Sequence, residues 1–218
     1  MLRYGERVRL INTPAARVLG SAVSWLLFTC SFTLLYLTSA IVMGLGGSCA
    51  SGGPYVIETP CPDAVLVYAP LSIFGGLIAV AIGLLFARGF GTPVVVWAWP
   101  ILFVGLGIDF LLASFMPGGV ANLVVAIVFL AMGLIPLIIV LRVGAARLLV
   151  GTTNVRDRPF LDARGPTPIF GIGSRWGDRD AVPASAGDWA LALGVSVPAI
   201  VVGVWLANLA LAASTRAV

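Results

Sequence analysis

The chain has 218 residues, 60% hydrophobic and only 10% charged, with a mean hydropathy of +1.07. That leaves too few charged side chains to cover a water-soluble globule, which excludes an ordinary soluble enzyme or binding domain. The formal charge of +4 is the balance of thirteen basic residues, all of them Arg, against nine acidic ones, and the arginine positions follow membrane topology rather than the footprint of a nucleic-acid binder.

Five apolar blocks predict five membrane-spanning helices: 19–45, 64–87, 94–115, 120–141 and 189–212. Each is close to the roughly 20 residues that a helix rising about 1.5 Å per residue needs to cross the bilayer. The short alternating segments of a transmembrane barrel are missing. The expected fold class is therefore all-α, a polytopic transmembrane bundle forming one membrane domain over 1–218. Exclusive use of Arg, together with abundant Ala, Gly and Val, is the bias of a GC-rich coding sequence and points to a bacterial plasma membrane.

Arg3, Arg7, Arg9 and Arg17 precede the first block. Its one cysteine, Cys30, lies mid-helix and reads as an inert packing residue. A basic start, an apolar run and Gly47-Ser48-Cys49 faintly resemble a lipid-attachment signal. Gly46 stands where such sites favour Leu, and the run is longer than an ordinary signal, so the first block is expected to stay as a span.

The loop 46–63 follows, and its two cysteines, Cys49 and Cys61, bracket a Gly- and Pro-rich stretch. On the exoplasmic side oxidation is permitted, so a Cys49–Cys61 disulfide is expected, closing a loop of this size for about 3 kcal/mol. It reads mainly as a staple for a segment with no core of its own. A redox role is the alternative, although exchanging proteins generally carry closely spaced or relaying pairs. Gly52-Gly-Pro-Tyr55 reads as a turn presenting an aromatic ring, with Glu58 and Asp63 adding negative charge. On these residues the chain resembles uncharacterised actinobacterial polytopic membrane proteins with a cysteine-bracketed Gly-Gly-Pro-Tyr exoplasmic loop after the first span. The resemblance covers the first two helices and the loop, under half of the chain, and implies no particular activity.

In the second block Gly75, Ala79 and Gly83 recur at every fourth position, a strip suited to close helix contact. Short breaks, Arg88 to Pro93 and Met116 to Gly119, predict that helices two, three and four form an antiparallel series. The third block opens with Trp97 and Trp99, which with Trp189 fit an interfacial aromatic belt. It also holds Asp109, the only acidic residue inside a predicted span, costing roughly 2.5 to 3.5 kcal/mol on insertion scales if central. Asp109 shares a face with Gly105 and Ala113, so that face is expected to pack on another helix. Thr38, Ser39, Tyr68, Ser72, Asn122 and Asn208 are candidate hydrogen-bond partners. Such an acid either holds the bundle together or serves a proton- or cation-coupled path. Pro70, Pro100, Pro136 and Pro198 read mostly as tolerated kinks.

The segment 142–188 alternates charges among Gly, Pro and aromatics and is too short for its own core. Arg156, Arg158, Arg164, Arg175, Trp176 and Arg179 are its candidate contacts, with either lipid headgroups of the inner leaflet or a partner chain. Gly171-Ile-Gly173 with Gly177 lacks the spacing of a phosphate loop.

Alternating spans place twelve of the thirteen arginines on one side, leaving Arg216 on the other. Basic residues stay with the cytoplasm, so the N-terminus is expected inside and the C-terminus outside. The chain has no His, no Cys/His cluster and no acidic pair at a fixed spacing within a span. Catalysis thus lacks its usual residues, and no metal or cofactor is expected. The leading expectation is a non-catalytic subunit or accessory protein of a membrane complex, its partners being the bilayer and other membrane chains or copies of itself. A small transporter or channel using Asp109 and a redox protein using Cys49 and Cys61 are the alternatives.

Overall fold

The computed structural model describes residues 14–47, 49–51, 57–85, 94–116, 119–142 and 186–216. Among them the chain is all-helical: α1 (Pro14–Gly44), α2 (Asp63–Leu85), α3 (Val94–Ala113), α4 (Val120–Arg142) and α5 (Ala186–Arg216). Four of the five contain a stretch long and apolar enough to cross a membrane: Val18–Gly44, Asp63–Leu85, Val120–Ile138 and Leu193–Ser214. The apolar stretch of α3, Trp97–Ala113, is shorter. The helix α1 begins before its apolar stretch, and α5 runs past its own at both ends. Apolarity tracks lipid contact, whereas a helix stops where its terminal backbone groups find other partners.

The C-terminus of α1 shows how such a stop is built. Gly46 and Gly47 both take positive φ, 99° and 89°. The Gly47 amide reaches back to Val42 (3.0 Å) and the Gly46 amide to Met43 (3.1 Å), the paired bonds of a Schellman cap, in which a left-handed residue after the helix favours glycine. Asp63 opens α2, its carboxylate placed favourably at the positive end of the helix dipole.

The helix α1 is the hub, packing against α2, α3 and α5, while the main neighbour of α4 is α3. Each consecutive pair in the expected series of helices two, three and four is in contact, to unequal extents. The α3–α4 hairpin forms, but α2 meets α3 only lightly and lies instead along α1. The reason is the small-residue strip. A side chain at Gly75 would strike the Ser31 hydroxyl, and one at Gly83 would come within 2.7 Å of the Ser24 hydroxyl. Between them Ala79 is fully buried, and Ser24 Oγ donates to its carbonyl at 2.8 Å. Small residues thus meet small hydroxyls, letting the two backbones approach in a solvent where the hydrophobic effect does not drive association. Ser24→Ala is expected to destabilise the bundle by about 1 kcal/mol. A detergent-unfolding midpoint equal to that of the wild type would remove this bond from the account.

A second strip, on α5, was not singled out from the sequence. Ala199, Gly203 and Ala207 are all buried. A Cβ on Gly203 would lie 2.6 Å from the Leu26 carbonyl oxygen and 3.0 Å from the Cys30 amide nitrogen. The α3–α4 hairpin uses the same device twice. A Cβ on Gly107 would approach the Leu130 backbone nitrogen to 3.0 Å, and one on Gly133 the Val104 nitrogen to 3.0 Å. Phe129 of α4 fills the space between, edge-on to Phe103 and Phe110 of α3 at 5.6 and 5.5 Å. Such edge-to-face geometry suits the ring quadrupoles.

The surface is the reverse of a soluble protein's. Leu66, Phe74, Leu77, Phe115, Val124 and Val201 are among many large apolar side chains left exposed, as lipid contact requires. Of the tryptophans assigned to an interfacial belt, Trp99 is exposed and its indole donates to the Met132 carbonyl at 3.0 Å. Trp97 instead packs partly buried against the cluster of Trp25, Phe28, Ala79 and Val94. The side chain of Trp189 lies outside the described residues.

Candidate functional site

Two features predicted from the sequence come to the same end of the bundle. The first is the clasp after α1. Cys49 and Cys61 are joined in a disulfide with their Cα atoms 4.9 Å apart. Beside it the Ala50 amide donates to the Thr59 carbonyl, and the Cys61 amide to the Ala50 carbonyl, both at 3.0 Å. The ring is thus closed by a covalent bond and a pair of backbone bonds, which ties the end of α1 to the start of α2. The Gly-Gly-Pro-Tyr stretch at 52–55 lies outside the described residues.

Cys30 is partly buried and reduced. It sits 14 residues before the end of α1 at Gly44, about 21 Å at 1.5 Å per residue. That distance removes it from thiol exchange with the clasp, which needs direct contact between sulfur atoms.

The second feature is Asp109, one turn from the end of α3. Gly105 on the same face lies against the Phe32 ring of α1, where an added Cβ would stand 3.2 and 3.3 Å from two of its edge carbons. Gly105 therefore admits the ring and lets α3 approach. One turn further, Asp109 is 5% exposed and hydrogen-bonds with the Ser39 side chain of α1. Its Oδ2 is buried and, among the described residues, has no hydrogen-bond partner. Ala113, one more turn along, is buried too. The described spans contain no arginine, so a hydroxyl rather than a cation answers this acid.

The remaining candidates are engaged elsewhere. Thr38 Oγ1 donates to the Leu34 carbonyl of its own helix at 2.8 Å, and Ser72 Oγ to that of Ala69 at 2.7 Å. Tyr68 ties α2 to α5 through a 3.1 Å bond from its hydroxyl to the Ala210 carbonyl. Asn122 is half-buried on α4. Asn208 is exposed on α5, and its amide nitrogen donates back to the Val204 carbonyl at 2.8 Å. Gly75, Ala79 and Gly83 belong to the α1–α2 seam. Arg156, Arg158, Arg164, Arg175, Trp176 and Arg179 lie outside the described residues.

Sequence reasoning named Ser39 as one of six hydroxyl- or amide-bearing candidates without ranking it. The ranking signal was helical phase: Phe32 and Ser39 are seven residues apart and so share a face. For the missed α5 strip the signal was the spacing of four between Ala199, Gly203 and Ala207, the same pattern noticed on α2. Among the described residues no group of three or more His, Cys, Asp or Glu side chains is placed to hold a metal ion. No protein-family model, curated protein or solved structure matches the chain.

Proposed function

We propose that this chain is a multi-pass protein of the bacterial plasma membrane, non-catalytic, and built to assemble with other membrane chains or with copies of itself. The observation that carries the reading is Asn208. It lies within the apolar stretch Leu193–Ser214, on the exposed side of α5. An amide offers two donors and two acceptor lone pairs. The bond back to Val204 uses one donor, and the rest of that capacity faces outward beside the exposed Val201 and Trp205. Polar side chains within spans almost always face protein or a water-filled cavity, because lipid satisfies none of their hydrogen bonds. A helix from a neighbouring chain would supply the missing partners.

The arginine distribution supports five crossings with the N-terminus in the cytoplasm, since that arrangement gathers twelve of thirteen on the cytoplasmic side. The segment 142–188 then faces the cytoplasm, where its arginines and Trp176 are available to headgroups or to a partner. Labelling of a tag placed in 142–188 from outside intact cells would overturn this topology.

For the assembly itself, the protein purified in mild detergent is expected to show a mass beyond one chain. Asn208→Leu, which keeps the helix and removes the amide, is expected to weaken association by about 1 kcal/mol, or roughly fivefold. A wild-type protein that remains a lone monomer with no companion chain counts against the subunit reading. Equal association of wild type and variant would move the interface away from Asn208.

A further inference from the structure

We propose that Asp109 is a reversible proton-binding site, buried in the seam between α1 and α3 and exchanging its proton through the end of the bundle that carries the disulfide clasp. This goes beyond the assembly reading and does not depend on it.

The two carboxyl oxygens sit in different surroundings. The Ser39 hydroxyl bonds with the carboxyl group, while Oδ2 is buried without a partner. An ionised carboxylate spreads its charge over both oxygens, and a buried charge without compensating donors or a counter-ion is very costly. A proton on Oδ2 removes that charge and leaves the Ser39 bond in place. The reaction is simple association: the carboxylate takes one proton from water to give the neutral acid, and releases it by the same route.

A metal ion is a poorer occupant. Hard cations gather six or more oxygen ligands, and the seam presents one carboxyl group and one hydroxyl. The exit is short. Asp109 lies four residues before the end of α3 at Ala113, about 6 Å along the axis. The seam also lies between two packed units, the α3–α4 hairpin and the group of α1 with α2 and α5. A change of charge there acts where the units meet.

Among the described residues, the elements packed on α3 bring few other ionisable groups. On α1 these are Arg17 at the opposite end, Cys30 and Tyr36. On α2 they are Asp63, exposed at the helix start, and Tyr68, whose hydroxyl is bound to Ala210. On α4 the only one is Arg142, at the end far from Asp109. Ser39 is the group seen to engage the carboxyl.

The test is labelling of the full-length protein in lipid vesicles with dicyclohexylcarbodiimide, an apolar reagent that partitions into bilayers. It adds across its C=N bond to a protonated carboxyl, the acid's proton passing to nitrogen, and the adduct rearranges to a stable acylurea read by peptide mass. The expected result is one adduct, at Asp109, formed at the acid end of a pH series and lost at its alkaline end, falling about tenfold for each pH unit beyond its midpoint. Asp109→Asn should lack the adduct, and the pH series needs only the wild-type protein should that variant fail to fold. No adduct at Asp109 at any pH overturns the proposal. So does labelling at Asp109 that stays constant across the range, which marks a permanently neutral, purely structural acid.

Discussion

Replacing Gly203 with leucine is expected to have the largest effect of any single substitution in the described bundle, lowering stability by about 3 kcal/mol, at the upper end of ordinary overpacking. Besides the Thr29 hydroxyl, the atoms in the way are the Leu26 carbonyl oxygen and the Cys30 amide nitrogen, 2.6 and 3.0 Å from the place a Cβ would take. These belong to the backbone of α1 and cannot rotate aside, so α5 must withdraw along its length. Gly203→Ala should already destabilise, by about 1 kcal/mol or more. The internal control is on the same helix: a Cβ on Gly194 meets nothing within 4 Å, so Gly194→Ala should be neutral or slightly stabilising through helix propensity. Thermal midpoints in one detergent decide the matter. Equal midpoints for the two alanine variants would show that α5 does not pack on α1 as described.

The second large effect is expected at the clasp. With Cys49 and Cys61 both replaced by serine, the loop should lose about 3 kcal/mol of stabilisation on the chain-entropy account. The two bonds between Ala50 and its neighbours Thr59 and Cys61 would then have to hold the loop on their own. The expected signature is selective: proteolysis within 46–63 rises sharply, while the helical content of the spans, held by seams elsewhere, is retained. Adding reductant to the wild type should reproduce it. Unchanged protease resistance after the double substitution would show that the backbone pair alone closes the loop. Collapse of the whole bundle would show instead that the clasp fixes the register of α1 on α2.

Much of this molecule is legible without a structure, for a reason specific to its solvent. In lipid every backbone polar group in a span must be satisfied within its own helix, so twenty apolar residues already mean a helix. The Cys49–Cys61 pair was equally readable, since two cysteines bracketing a Gly- and Pro-rich loop have few other partners and Cys30 sits deep in a span. The face of α3 shared by Gly105, Asp109 and Ala113 follows from a period of 3.6 residues alone.

What the sequence could not decide was which faces meet. The shortness of the connections pointed to a hairpin series through helices two, three and four. Close contact, however, depends on how near two backbones can come. The strip Gly75, Ala79, Gly83 finds that depth against Ser24 and Ser31 of α1, which its breaks in sequence do not announce. The partner of Asp109 was undecidable for the same reason. Six polar side chains were within reason, and five were drawn to carbonyls of helices or into other positions, leaving Ser39 at the right height on α1.

Composition and periodicity by themselves determined that the chain folds as apolar helices, where its disulfide forms and that one acid is buried among them, because those outcomes depend on local chemistry and on lipid as solvent. The tertiary structure alone decided that α1 is the hub, that α5 seats on it through Gly203, and that Asp109 meets Ser39 with one oxygen unanswered. Those outcomes depend on sub-ångström fit between surfaces that are equally apolar and, one at a time, indistinguishable.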